Sequence, residues 1–183
     1  MEKSKQSSQA LYNNITDQYF NFSGPKLYDT SIKVCAECLK NVNSDKKFCN
    51  LCDLPICNDE CQVGHRHYTE CQILRNFRNE FRGKNDLKQM AILPIRILAT
   101  CDTSKLSYSI AKLFHESLDQ SDVDENTVKF ITRTTNAQES DAVWAVNVAR
   151  KKTVETFDKQ GVAFFPIFSM MNHSCSVNAK FLG

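Results

Sequence analysis

The sequence predicts a mostly helical α+β fold: a small cysteine-rich finger built on two zinc ions, then a helical region, then a partial β segment. Three observations predict it. Seven of the nine cysteines fall between positions 35 and 71. Apolar residues recur at helical spacing through much of residues 73–160. A short apolar run at 162–168 follows Gly161 and reads as a buried strand.

Residues 1–32 are rich in Ser, Asn, Gln and Lys, with Gly24-Pro25 as punctuation, and read as a polar N-terminal tail. Residues 33–72 hold the informative cluster. Its donors come in pairs: Cys35-x2-Cys38, Cys49-x2-Cys52, Cys57-x3-Cys61 and His67-x3-Cys71. Eight soft donors make two four-ligand sites, the number that structural, tetrahedral zinc takes. A two-residue gap lets a tight turn aim both sulfurs at one ion. A three-residue gap sets i and i+4 on one helix face, so Cys57/Cys61 and His67/Cys71 are expected as helical ligand pairs. His65 would lie on the opposite face from Cys71 and is expected in solvent.

A disulfide framework fits less well. No secretory signal precedes the cysteines, seven is an odd number, and His67 supplies an eighth donor that disulfides do not need. Two pairings suit the spacing equally. In the sequential one, Cys35, Cys38, Cys49 and Cys52 share an ion and the last four donors share the other. In the interleaved one, Cys35, Cys38, Cys57 and Cys61 share one ion, and Cys49, Cys52, His67 and Cys71 the second. The apolar residues between the donors (Ala36, Leu39, Val42, Phe48, Leu51, Leu54, Ile56, Val63 and Tyr68) are too few for a free-standing core. Structural zinc supplies on the order of 10–16 kcal/mol per site, so the segment is expected to unfold when chelated.

Residues 73–160 read as a helical insert. Leu74, Phe77 and Phe81 predict an amphipathic helix with a basic stripe of Arg75, Arg78 and Arg82, continued by Lys84 and Lys88 as a solvated face. Residues 90–99 form a buried apolar run interrupted by Pro94. A second amphipathic helix is expected over 104–118, with His115 at its rim. Residues 119–125 are an acidic, solvated loop without the glycine turn of a calcium site. A short helix over 127–133 follows, then another capped by Ser140 or Asp141 and running to about Arg150, with Ala142, Ala145, Val148 and Ala149 inward.

The formal charge of +2 and the 42% hydrophobic content suit a soluble protein. No run reaches the roughly 18 apolar residues of a membrane span. The best candidate, 161–171, is short and carries Pro166. These features predict an intracellular location, cytoplasmic or nuclear. Between Cys35 and Cys71, acidic residues outnumber basic ones and the thiolates add negative charge, so nucleic acid is not an expected partner.

Residues 172–175 read Asn-His-Ser-Cys. Cysteine and histidine two apart cannot easily meet as a nucleophile pair, and two donors do not close a metal site. Taken with the cluster upstream, however, this stretch resembles the corresponding motif of a SET domain, and the cluster resembles a MYND finger. Finger, helical insert and Asn-His-Ser-Cys, in that order, are similar to the SET-and-MYND (SMYD) family of S-adenosylmethionine-dependent protein-lysine methyltransferases. Over residues 34–183 the resemblance implies the interleaved pairing of the zinc ligands. It also implies contacts from Asn172 and His173 to S-adenosylmethionine, and a third-zinc role for Cys175. Residues 161–183 would be a partial SET-like segment. The family's Gly-x-Gly strand before the finger, its catalytic tyrosine and its later cysteines have no counterparts here, so no catalytic residue is assigned. The expected function is a zinc-binding protein-interaction module that takes short proline-containing peptides. The alternative is a lysine methyltransferase acting on a lysine-bearing protein, its missing parts supplied by a longer form.

Overall fold

In the computed structural model, the residues described are 23–26, 33–42, 47–103, 123–155 and 161–164. The element that orders them is a helix, α3 (Asn85–Thr103). The apolar run at 90–99 lies inside it, and Pro94 does not interrupt it as the sequence suggested. Proline in a helix interior forfeits about 3 kcal/mol. Ile92, Leu93, Ile95 and Ile97 are all fully buried around it, each contributing about 1.5–3 kcal/mol. Burial therefore outweighs the lost hydrogen bond, and the helix continues.

The cysteine-rich segment before α3 holds a short hairpin, β2 (Lys47–Phe48) with β3 (Pro55–Ile56), and two helices, α1 (Asp59–Gln62) and α2 (His65–Leu74). The amphipathic helix expected after Cys71 ends at Leu74, gives way to a 3-10 turn at Arg75–Phe77, and continues as turns to Gly83, whose φ is +78°. Tertiary contacts replace the helix here. Phe81 meets Phe130 edge to face with ring centroids 4.5 Å apart, and the Arg133 guanidinium covers the Phe77 ring at 5.4 Å. Arg75, Arg78 and Arg82 are exposed. Lys88 is a correction to the expected solvated stripe: it is buried, its ammonium donating to the Cys52 carbonyl at 3.2 Å and to Asp53 at 3.4 Å.

After α3 come α4 (Glu125–Thr135) and α5 (Glu139–Lys151), packed on α3 and on each other. Asp124 starts α4 by accepting from the Thr127 backbone N–H at 2.9 Å and its hydroxyl at 2.6 Å, and Asn136 ends it in the left-handed region. In α5 the cap position is Gln138, two residues ahead of the expected Ser140, and the acidic Glu139 and Asp141 occupy the first turn. Ala142, Ala145, Val148 and Ala149 are buried, as their spacing predicts.

Among the described residues a second sheet has three strands, β1 (Ser23–Pro25), β4 (Thr153–Glu155) and β5 (Gly161–Phe164), antiparallel in the order β1-β5-β4. Gly24 pairs with Val162 and Val154 with Ala163. Residues 23–25 are thus part of the sheet and not of a polar tail. Gly24 is needed there because β1 lies directly on α3: a Cβ would come 2.6 Å from Leu93 Cβ. The cysteine-rich segment does not stand alone either. Ala36, Val42, Leu54 and Ile56 belong to the same continuous core as Ile92, Ile131 and Val148.

Among the described residues no helix is long and apolar enough to cross a membrane. The tail at 1–22, the helix expected at 104–118 with His115, and the end of the apolar run at 165–168 lie outside the described residues.

Candidate metal centre

Each Cys-x2-Cys pair closes the same turn. The Leu39 N–H donates to the Cys35 carbonyl at 3.0 Å, and the Asp53 N–H to the Cys49 carbonyl at 2.9 Å. Leu39 and Asp53, each directly after the second cysteine, sit at positive φ, 61° and 68°. Such a conformation disfavours a side chain by roughly 1–2 kcal/mol, so both turns are held by their surroundings.

The second turn is the tip of the hairpin of β2 and β3. That hairpin decides the pairing. Cys49 and Cys52 lie in its turn, whereas Cys57 emerges at the far end of β3. The first turn docks beside β3 through the Ala36 N–H, which donates to the Pro55 carbonyl at 2.9 Å, so Cys35 and Cys38 meet Cys57 and not Cys49. Cys35, Cys38, Cys57 and Cys61 form one group and Cys49, Cys52, His67 and Cys71 the other. Within each group, all donor atoms lie within 4.8 Å of one another. His67 and Cys71 are i and i+4 on α2, as their spacing predicts. The Cys57/Cys61 pair is different: Cys57 precedes the cap residue Asn58, and only Cys61 is helical, its N–H donating to the Asn58 side chain at 2.9 Å. His65 is exposed at the start of α2.

The separations have a chemical meaning. A tetrahedral ion with bonds of about 2.3 Å to sulfur and about 2.0–2.1 Å to nitrogen sets two sulfurs about 3.8 Å apart and sulfur and nitrogen about 3.6 Å apart. Cys38 and Cys57 sulfurs are 3.5 Å apart, those of Cys49 and Cys71 3.8 Å, and Cys52 Sγ lies 3.6 Å from His67 Nε2. These are too long for disulfides, near 2.05 Å, and all seven cysteines of the segment are free. The two groups therefore fit two zinc ions.

Electrostatics points the same way. Cys49 is held well below the ordinary thiol range by hydrogen bonds from Cys52 and Cys71, while Cys52 is pushed far up by Cys49 and Cys71 and by burial. In the other group, burial would raise Cys35, but hydrogen bonds from the backbone of Cys38, Glu37 and Cys57 outweigh it and lower it. Burial first, then Cys38 and Cys35, push Cys57 up, and burial with the Cys35 charge pushes Cys61 up to about 12. Burial favours a neutral His67, yet Cys49, Cys71 and Glu70 overcome it and raise the imidazole to about 11. Four donors this close cannot all shed their protons unless a cation replaces them.

Sequence reasoning missed the residues around the donors. Glu37, inside the first Cys-x2-Cys, reaches α2 and accepts from the His67 backbone N–H at 2.6 Å. Glu70, three residues after His67, was legible as an i, i+3 neighbour. Arg96, 26 residues beyond Glu70, carried no local signal. Asn172, His173 and Cys175 lie outside the described residues. Comparison with protein-family models, with curated proteins and with solved structures found no match to this chain.

Proposed function

We propose that the chain is a zinc-binding, MYND-type interaction module of the SMYD-like kind, whose two ions shape a surface for short proline-containing peptides. The observation that carries this reading is the sorting of eight donors into two interleaved groups with tetrahedral separations. The resemblance in the sequence implies that same pairing, and the spacing alone left it open. The ions supply rigidity: Cys35, Cys38, Cys57 and Cys61 would hold one, and Cys49, Cys52, His67 and Cys71 the other.

A binding role is supported by what the segment leaves in solvent. Among the described residues the exposed large apolar side chains are Leu51, Val63 and Tyr68, at 50%, 81% and 63% exposure. All three belong to the cysteine-rich segment, and the Asn50 N–H, donating to the Gln62 side chain at 3.4 Å, ties the turn bearing Leu51 to the residue before Val63.

Elemental analysis of the purified chain tests the first half of the reading: two zincs per molecule are expected, and well under two refutes it. Nuclear magnetic resonance titration with a library of short proline-containing peptides tests the second. Shifts should centre on Leu51, Val63 and Tyr68 and vanish in a triple serine variant that keeps its zinc. A calorimetric titration with S-adenosylmethionine should give no heat; micromolar binding would favour lysine methyl transfer instead.

A further inference from the structure

The fully buried group of donors has a second layer of charge that leads out of the segment. His67 Nδ1 lies 3.2 Å from Glu70 Oε1, on the side of the ring away from Cys52. Arg96, from the middle of α3, grips both oxygens of that carboxylate: Nε donates to Oε2 at 2.8 Å and Nη2 to Oε1 at 2.5 Å. The rest of its fork is used as well. Nη1 donates to the Ser23 carbonyl of β1 and Nη2 to the Ala36 carbonyl of the first turn, both at 2.6 Å. The side chains of His67 and Glu70 are 0% exposed and that of Arg96 1%.

Stability alone does not account for this arrangement. A buried ion pair is commonly no better than apolar side chains of the same volume, because desolvation offsets the attraction. Its geometry does something that apolar residues cannot. A carboxylate on Nδ1–H fixes the tautomer and turns Nε2 toward the other donors, which orients a histidine ligand and makes it more basic.

We propose that Glu70 and Arg96 are positioning residues of the buried group of three thiolates and one imidazole, and that Arg96 couples its metal occupancy to the seating of β1 and of the first cysteine turn. The proposal rests on the metal reading above. With the ion in place, His67 is fixed, Glu70 stays on Nδ1, and Arg96 keeps its hold on the Ser23 and Ala36 carbonyls. Withdrawing the ion frees the ring, and the guanidinium loses its fixed counter-charge.

Cobalt(II) tests this, because its visible absorption distinguishes a site of three sulfurs and one nitrogen from a site of four sulfurs. The full chain is titrated against a chelator of known affinity. Glu70→Gln should weaken the site that contains His67 about 10–100-fold and leave the all-cysteine site unchanged. A second variant, Glu70→Leu/Arg96→Met, removes both charges together, avoids the unpaired buried carboxylate that Arg96→Met alone would leave, and should weaken the same site. Hydrogen exchange supplies the other readout. In the unsubstituted chain, exchange over residues 23–26 should speed up when metal is withdrawn; in Arg96→Lys it should already be fast with metal bound. Equal weakening of both sites, an unaltered affinity of the His67 site in both variants, or exchange at 23–26 that ignores the metal each overturns the proposal. An unsubstituted chain that takes up no cobalt would sink the metal reading itself.

Discussion

Glu37 belongs by sequence to the first cysteine turn but acts on the helix that carries ligands of the other group. Its Oε2 accepts from the His67 N–H at 2.6 Å, one of the first-turn donors that a helix cannot satisfy internally. The cap residue of α2, Gly64, has no side chain for the task, and the helix's own first turn contains no acidic residue. Glu37→Ala should therefore lose a cap, about 0.5–2 kcal/mol, and a favourable charge at the helix N-terminus, about 0.3–1 kcal/mol. Glu37→Gln keeps an acceptor and should lose only the second amount.

Gly64 makes this reasoning refutable. A Cβ there would lie 2.5 Å from Glu37 Oε2 and closer still to its Cδ, so Gly64→Ala pushes the carboxylate off His67. The backbone itself accepts alanine, since φ −63° and ψ 148° are ordinary extended values. Alanine also restricts the unfolded chain, which favours folding by about 0.4–1 kcal/mol. In the unsubstituted chain, cap loss outweighs that gain, and Gly64→Ala should destabilise. In a Glu37→Ala background the three atoms nearest that Cβ are gone, and Gly64→Ala should stabilise by about 0.4–1 kcal/mol. Urea unfolding of the metal-loaded protein across all four members of the cycle measures the change of sign. An equal effect of Gly64→Ala in both backgrounds would refute the contact.

Three further outcomes are expected. Gly24→Ala should destabilise by about 1–3 kcal/mol in urea unfolding, because its Cβ would meet Leu93 Cβ at 2.6 Å and Leu93 backbone at 3.2 Å; a neutral result would mean that β1 does not lie against α3. Asp124 is held below the ordinary carboxylate range, chiefly by the Thr127 hydroxyl. Its folded value is the lower one, so its contribution is present above the unfolded value and is lost as pH falls through the folded value; the stability difference between the native chain and Asp124→Ala should be constant near neutrality and shrink in acid below the usual carboxylate range. Chelation of the metal should lower the far-ultraviolet melting transition of the helices as well as that of the cysteine-rich segment, since both share one core; helices that melt at an unchanged temperature would contradict this.

What could be read in the sequence follows from how local each cause is. The donors were legible because their chemistry and spacing are local, and α4 and α5 were legible to within about two residues because caps and apolar spacing are local too. The larger failures have distant causes. Pro94 stops nothing because Ile92, Leu93, Ile95 and Ile97 are buried by elements far along the chain. Ser23–Pro25 is a strand because Gly161–Phe164 pairs with it, and its glycine has to clear Leu93. The ligand pairing depends on a hairpin whose far end lies beside Ala36. The shortage of apolar residues between the cysteines is real, but the rest of the chain supplies part of the missing interior. Leu54 and Ile56 share a core with α3, α4 and α5, and Arg96 carries charge from α3 to the edge of the buried donors. The buried donors thus meet the core both directly, through Cys35, Cys49, Cys52 and Cys71, and through the Arg96 guanidinium, so removing metal from them should be felt by the helices.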